Sequence, residues 1–110
     1  MFGEVFDGSA EFMSRYTTTA KLPAVLDFGL QSAITSVIAN GGATNTLANL
    51  FAADDYFTDA DSNAYQLAGF VSNHDLGRLG YALRQAMPTA ADAELVKRVT
   101  WAYAMLYFAR

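Results

Sequence analysis

Cysteine is absent from the 110 residues, which excludes a disulfide framework, a thiolate zinc site and a cysteine nucleophile. Histidine occurs once, at His74, so a metal centre built from several imidazoles cannot form within the chain. Positive charge is scarce as well: seven Lys and Arg against eleven Asp and Glu leave a net charge of −4. Such a chain has little with which to displace counterions from phosphates or to hold an anionic lipid surface. Neither nucleic acid nor a membrane is therefore an expected partner. No apolar run approaches the ~18 residues that mark a membrane span. The opening residues, Met1 to Asp7, contain Glu4 and Asp7 and no Lys or Arg, unlike the basic and apolar halves of a secretion signal. The missing cysteines leave the compartment open.

What is abundant is apolar material. It makes up 53% of the residues, while charged side chains make up 16%, against a usual share of about 25%. A chain of this length buries only about two-thirds of its unfolded surface, so the excess implies a face that expects a partner. No repeat or low-complexity tract divides the chain, and residues 1–110 read as one unit.

Three short apolar runs have strand character: Met1 to Phe6, Ala24 to Phe28 and Leu67 to Ser72. Between them the period changes. Ser9 to Tyr16 reads as a short helix capped by Ser9, with Phe12 and Met13 facing inward. Leu30, Ala33, Ile34, Val37 and Ile38 repeat at helical spacing up to Asn40-Gly41-Gly42, and Thr46 is positioned to cap a helix carrying Leu47, Leu50 and Phe51. Leu79, Leu83 and Ala86 mark another helix. Thr89 is placed to cap a last one, with Asp92 and Glu94 in its first turn and Leu95, Val99, Ala102, Tyr103 and Leu106 inside. The order β-α-β-α-α-β-α-α predicts an α/β fold with parallel strands. Asp54, Asp55, Asp59 and Asp61 lack the spacing of a calcium loop and are expected to be a solvated acidic connection.

In parallel α/β folds chemistry gathers at the carboxyl ends of strands. Glu4 lies at the first, between Phe2 and Val5. An apolar setting favours the protonated carboxyl that a general acid needs, while a terminal Glu can equally well fray into solvent. Asp27 ends the second, where Asp before a helix is commonly a cap. Asn73-His74-Asp75 follows the third. Imidazole, amide and carboxylate together supply donors and acceptors for vicinal hydroxyls, and the same three residues can serve instead as a turn or cap. Arg78 reads as a surface residue that could pair with Asp75.

Taken in order, Gly3-Glu4-Val5, Val25-Leu26-Asp27-Phe28 and Phe70-Val71-Ser72-Asn73-His74-Asp75 resemble segments of the α-amylase family of glycoside hydrolases. The resemblance covers essentially the whole chain. It implies a partial (β/α)8 barrel running from the fifth strand to the helix before the eighth, belonging to a catalytic domain that acts on α-1,4-glucosidic bonds of starch or maltooligosaccharides. By the same resemblance, Glu4 is the general acid/base, Asp75 the carboxylate that stabilises the transition state, and His74 and Asn73 bind substrate. The family nucleophile is an Asp on the fourth strand, two residues after an Arg, and has no counterpart among these residues. Calcium, where members use it, is held by residues not present here, and the expected partners are the glucan and the remaining barrel segments. These 110 residues alone are accordingly expected to be inactive. Bacterial members are often exported and also occur in the cytoplasm, so location stays open. A second reading is a non-catalytic carbohydrate-binding or scaffold protein that keeps Glu4, His74 and Asp75 as a cleft.

Overall fold

The computed structural model describes residues 1–110, and more than half of them are helical. Helix α1 spans Ala10–Thr18. The Ser9 hydroxyl caps it by accepting from Phe12 N at 3.3 Å, and a Glu11–Arg15 pair one turn apart braces its outer face. Helix α2, Phe28–Ile34, starts on the Asp27 carboxylate, which accepts from Leu30 N at 2.9 Å. It widens into a π-helical turn over Thr35–Ala39, where Asn40 N reaches Thr35 O at 3.2 Å. Gly41, at φ +66°, then turns the chain in the left-handed region that glycine occupies without strain. Arg98, 60 positions further on, donates to Ile38 O at 2.8 Å and occupies a carbonyl that the helix end leaves free.

Helix α3 is Asn45–Ala52, α4 is Leu79–Ala86 and α5 is Asp92–Phe108. Two 3-10 turns, Asp54–Phe57 and Ala64–Gln66, connect α3 to the third apolar run. The periodicity located these helices well and their caps less well. Neither Thr46 nor Thr89 caps: α3 begins after Thr44 and α5 after Ala91, in both cases without a side-chain hydrogen bond.

The expected α/β fold, a partial (β/α)8 barrel with parallel strands, is not what the chain forms: it contains no strand and no sheet. The three apolar runs do lie side by side, and they meet only at isolated parallel bridges, Gly3 with Val25 and Leu26 with Ala68. Four backbone bonds hold them, Gly3 N to Ala24 O, Leu26 N to Gly3 O, Ala68 N to Val25 O and Asp27 N to Ala68 O, all of 2.9–3.0 Å. Tight turns stop the pairing from spreading. Asp7 N bonds back to Val5 O at 2.8 Å and Phe28 N to Leu26 O at 3.1 Å, the three-residue turns that end extended segments.

Burial falls into two clusters. Leu30, Ile34, Ala39, Val71, Leu79, Leu83, Leu95 and Ala102 join α2, α4 and α5. Val5, Met13, Val25, Phe28, Phe57 and Ala64 join α1 to the extended runs. Helix α2 contributes to both and links them. Phe12, expected inside, points outward and packs edge-on against Tyr16 with centroids 5.7 Å apart. The molecule measures 48 × 27 × 20 Å, and its radius of gyration of 14.6 Å exceeds the roughly 13 Å of a compact chain of this length. Much of α5 faces outward: Val96, Trp101, Tyr103, Tyr107 and Phe108 are all exposed. No helix is long and apolar enough to cross a membrane.

Candidate functional site

Parallel bridging sets the order of the three motif segments, with the Asp27 segment between the other two. A ladder of rings repeats that order. Phe6 meets Phe28 at 4.7 Å between centroids, and Phe28 meets Phe70 edge-on at 5.1 Å. Edge-on and tilted rings align the positive rim of one with the negative face of the next, so the ladder fixes the segments laterally where hydrogen bonds are few.

Glu4 projects from the first segment and is exposed, although Val5 beside it is buried. The apolar enclosure expected around its carboxyl is therefore missing. Asn73, His74 and Asp75 form a tight loop after the third segment. Asn73 Oδ1 accepts from Asp75 N at 3.1 Å and Leu76 N at 2.8 Å, and the loop closes by a bridge from Asn73 to Gly77, whose φ is +76°. Asn73 thus takes the turn role, which leaves its amide nitrogen as the group free for a ligand. His74 is 85% exposed and its Nε2 lies 3.5 Å from Asp75 Oδ2. Arg78, exposed, forms no ion pair with Asp75.

Asp27 is the cap that its position implied, and it does more. Its side chain is almost fully enclosed, with Oδ1 on Leu30 N and Oδ2 on the Arg110 guanidinium. Arg110 also binds Asp54 and lies over the Phe51 ring, 5.9 Å from its centroid. Burial pushes the Asp27 carboxyl above its ordinary range, against the pull of Arg110 and of Leu30 N. No sequence pattern points to a partner 83 positions away.

The acidic connection is exposed at Asp55, Asp59 and Asp61, and it carries an ion-pair clamp. Lys21 Nζ sits between Asp59 Oδ2 at 2.8 Å and Asp61 Oδ1 at 2.7 Å. The Lys21 hydrogen bond, followed by those from Asp61 N and the Ser62 hydroxyl, holds the Asp59 carboxyl well below the usual range. No three Asp, Glu or His side chains converge on a point where a metal ion could sit.

A cleft of about 340 Å³ opens where the three segments end. Phe6 and Asp7 follow Glu4, Phe28 follows Asp27 and Leu76 follows Asp75, and all four line it together with Gly8, Gln31 and Ser32. Glu4, His74 and Asp75 stand beside this cleft in sequence and are not among its lining residues. Gly8, Gln31 and Ser32 are lining residues that no sequence signal marks, Gln31 and Ser32 because they occupy polar positions in an otherwise ordinary amphipathic helix.

No family model matches the chain, and no solved structure does. The chain is 37% identical, over all of its 110 residues, to an alpha-amylase of Streptomyces lividans, and it spans 12% of that relative's length. From its first residue to its last, this chain is similar to one short stretch of an alpha-amylase.

Proposed function

We propose that the chain supplies one side of the catalytic site of an α-amylase-type glycoside hydrolase, which breaks α-1,4-glucosidic bonds of starch or maltooligosaccharides with retention. The observation that supports this reading is the 37% identity to an alpha-amylase over all 110 residues of the chain. In it, Glu4 protonates the glycosidic oxygen as the bond breaks and later takes a proton from the attacking water. Its exposure suits a group that must meet a polymer arriving from solvent. Asp75 binds hydroxyls of the reacting ring and favours its flattened, positively charged transition state. His74 donates to the same ring, with Asp75 at 3.5 Å to orient the imidazole, and the free amide nitrogen of Asn73 adds a donor.

A retaining enzyme needs its acid and nucleophile carboxyls about 5–5.5 Å apart. The Glu4 and Asp75 segments lie on either side of the Asp27 segment, a backbone separation of about 10 Å at two inter-strand spacings. The family resemblance, not that spacing, assigns Asp75 a different role and places the nucleophile on an Asp that these residues do not include, so the 110 residues alone are expected to leave maltooligosaccharides intact.

The test is a chimera in which these residues replace the matching stretch of the Streptomyces lividans alpha-amylase. Reducing-sugar release from soluble starch should survive the exchange, then fall by roughly 10²–10⁴ in kcat on Glu4→Gln, and drop steeply on Asp75→Asn. A folded chimera whose Glu4→Gln variant keeps the parent rate overturns the assignment.

A further inference from the structure

Buried polar side chains in this protein spend their hydrogen-bonding atoms inside the chain, with one exception. Ser14 Oγ donates to Glu11 O at 3.0 Å, Thr17 Oγ1 to Ser14 O at 3.1 Å and Ser62 Oγ to Phe57 O at 2.8 Å. Both oxygens of Asp27 accept. Gln31 differs. It is 8% exposed, and its Nε2 donates to Thr35 Oγ1 at 3.0 Å one turn along. Its Oε1 accepts nothing within the chain. No sealed polar atom of the molecule lacks a partner, so this oxygen is not sealed. Gln31 itself lines the cleft with Phe6 and Phe28.

That placement has a chemical meaning. The Thr35 bond holds the amide in one orientation, so the open oxygen is a fixed acceptor on a side chain that is otherwise buried. Water pairs it in the free chain, and a donor carried by a ligand can take that water's place. The surroundings narrow the ligand further. Phe6 is exposed and rests at 4.7 Å and 58° on the buried Phe28, a braced ring surface suited to the C–H face of a saturated ring. A volume of about 340 Å³ lies at the small end for ligand clefts and holds little more than one such ring. An apolar face with hydroxyl donors around its edge describes a pyranose.

We propose that Gln31 is a specificity-determining residue of this cleft, its Oε1 accepting the hydrogen of one hydroxyl on a sugar ring seated against Phe6 and Phe28. The inference rests on the sugar-site reading above and adds to it a residue outside the motif segments. It makes the cleft selective for rings that carry a donor over rings of the same shape that do not.

The ¹⁵N-labelled chain titrated with maltotriose, and separately with fully O-methylated maltotriose, tests this by NMR. The Gln31 side-chain amide should shift together with the Phe6 and Phe28 amides, and only the hydroxylated sugar should move it. Gln31→Met, which keeps the volume and removes the acceptor, should weaken maltotriose binding about tenfold. Gln31→Glu, which keeps an acceptor, should restore it to within about twofold. Maltotriose binding in the cleft with the Gln31 amide unmoved, or equal binding by Gln31→Met, overturns the role of Gln31 and leaves the sugar-site reading standing. No shift of any cleft resonance overturns both for this chain. Should Gln31→Met fail to fold, the wild-type amide shift decides alone.

Discussion

Replacing Asp27 by Asn should cost more than any cap analysis foresees, and replacing its partner as well should cost less. Asn accepts from Leu30 N as well as Asp does, so the start of α2 survives the change. What is lost is the countercharge of a guanidinium whose side chain is 8% exposed. Removing one member of a buried pair costs about 3–5 kcal/mol because the other is stranded. Asp54 remains on Arg110 and lowers that to about 2–3 kcal/mol. Burial already pushes the Asp27 carboxyl up despite Arg110, so the pair itself does not repay its desolvation. Asp27→Asn with Arg110→Met, which leaves the half-exposed rim to hydrate Asp54, should therefore lie within about 1 kcal/mol of the parent. Asp27→Ala should fall about 1 kcal/mol below Asp27→Asn, the value of the lost cap. Urea unfolding followed by far-UV circular dichroism measures all four proteins, and for a domain of this size each kcal/mol is worth about 4–8 °C in Tm. A double variant no more stable than Asp27→Asn alone would refute the reasoning, as would an Asp27→Asn protein as stable as the parent.

Acid should weaken the Lys21 clamp. The folded-state value of Asp59 is depressed, so its stabilising effect is complete above the ordinary value of 3.8 and drains away as pH falls below it. Lys21, raised by the same bonds, loses its share as pH climbs past 10.5. Thermal melts from pH 5 to pH 2 should accordingly be flatter for Lys21→Met than for the parent. Asp27 acts in the opposite sense: its raised value gives a contribution present at low pH and lost as pH rises through it. Leu83, fully buried between α2 and α5, should cost about 2–5 kcal/mol as Leu83→Ala. Two glycines should respond with opposite signs in urea titrations. Gly77→Ala meets no atom and still costs about 1–2 kcal/mol, because φ is +76° there. Gly80→Ala, in open space on α4, should gain about 0.5–1 kcal/mol.

The helices were legible because their signals are local. Ser9 and Asp27 act within three residues of the backbone groups they satisfy, and Asn40 N reaches a carbonyl five residues back. The strands were misread for a physical reason: apolar runs such as Val25-Leu26 register a demand for burial, and burial here comes from ring ladders and helix faces as well as from pairing. Whether a bridge extends into a ladder depends on the turns at Asp7 and Phe28, which no periodicity encodes. Of the candidate residues, Asn73 and Asp27 disclosed their turn and cap roles in the sequence. The Asp27–Arg110 pair and the open oxygen of Gln31 did not, since each exists only once distant segments meet.

The outward aromatic face of α5 also governs how the protein behaves in bulk. With Trp101, Tyr103, Tyr107 and Phe108 in contact with water, mutual electrostatic repulsion is what keeps molecules apart, and a net charge of −4 provides little of it. That repulsion vanishes near the isoelectric point of 4.6, close above the range in which the Lys21 clamp begins to loosen. Acidification thus brings colloidal and conformational instability together, and the chain is least soluble just above the pH at which the clamp begins to loosen.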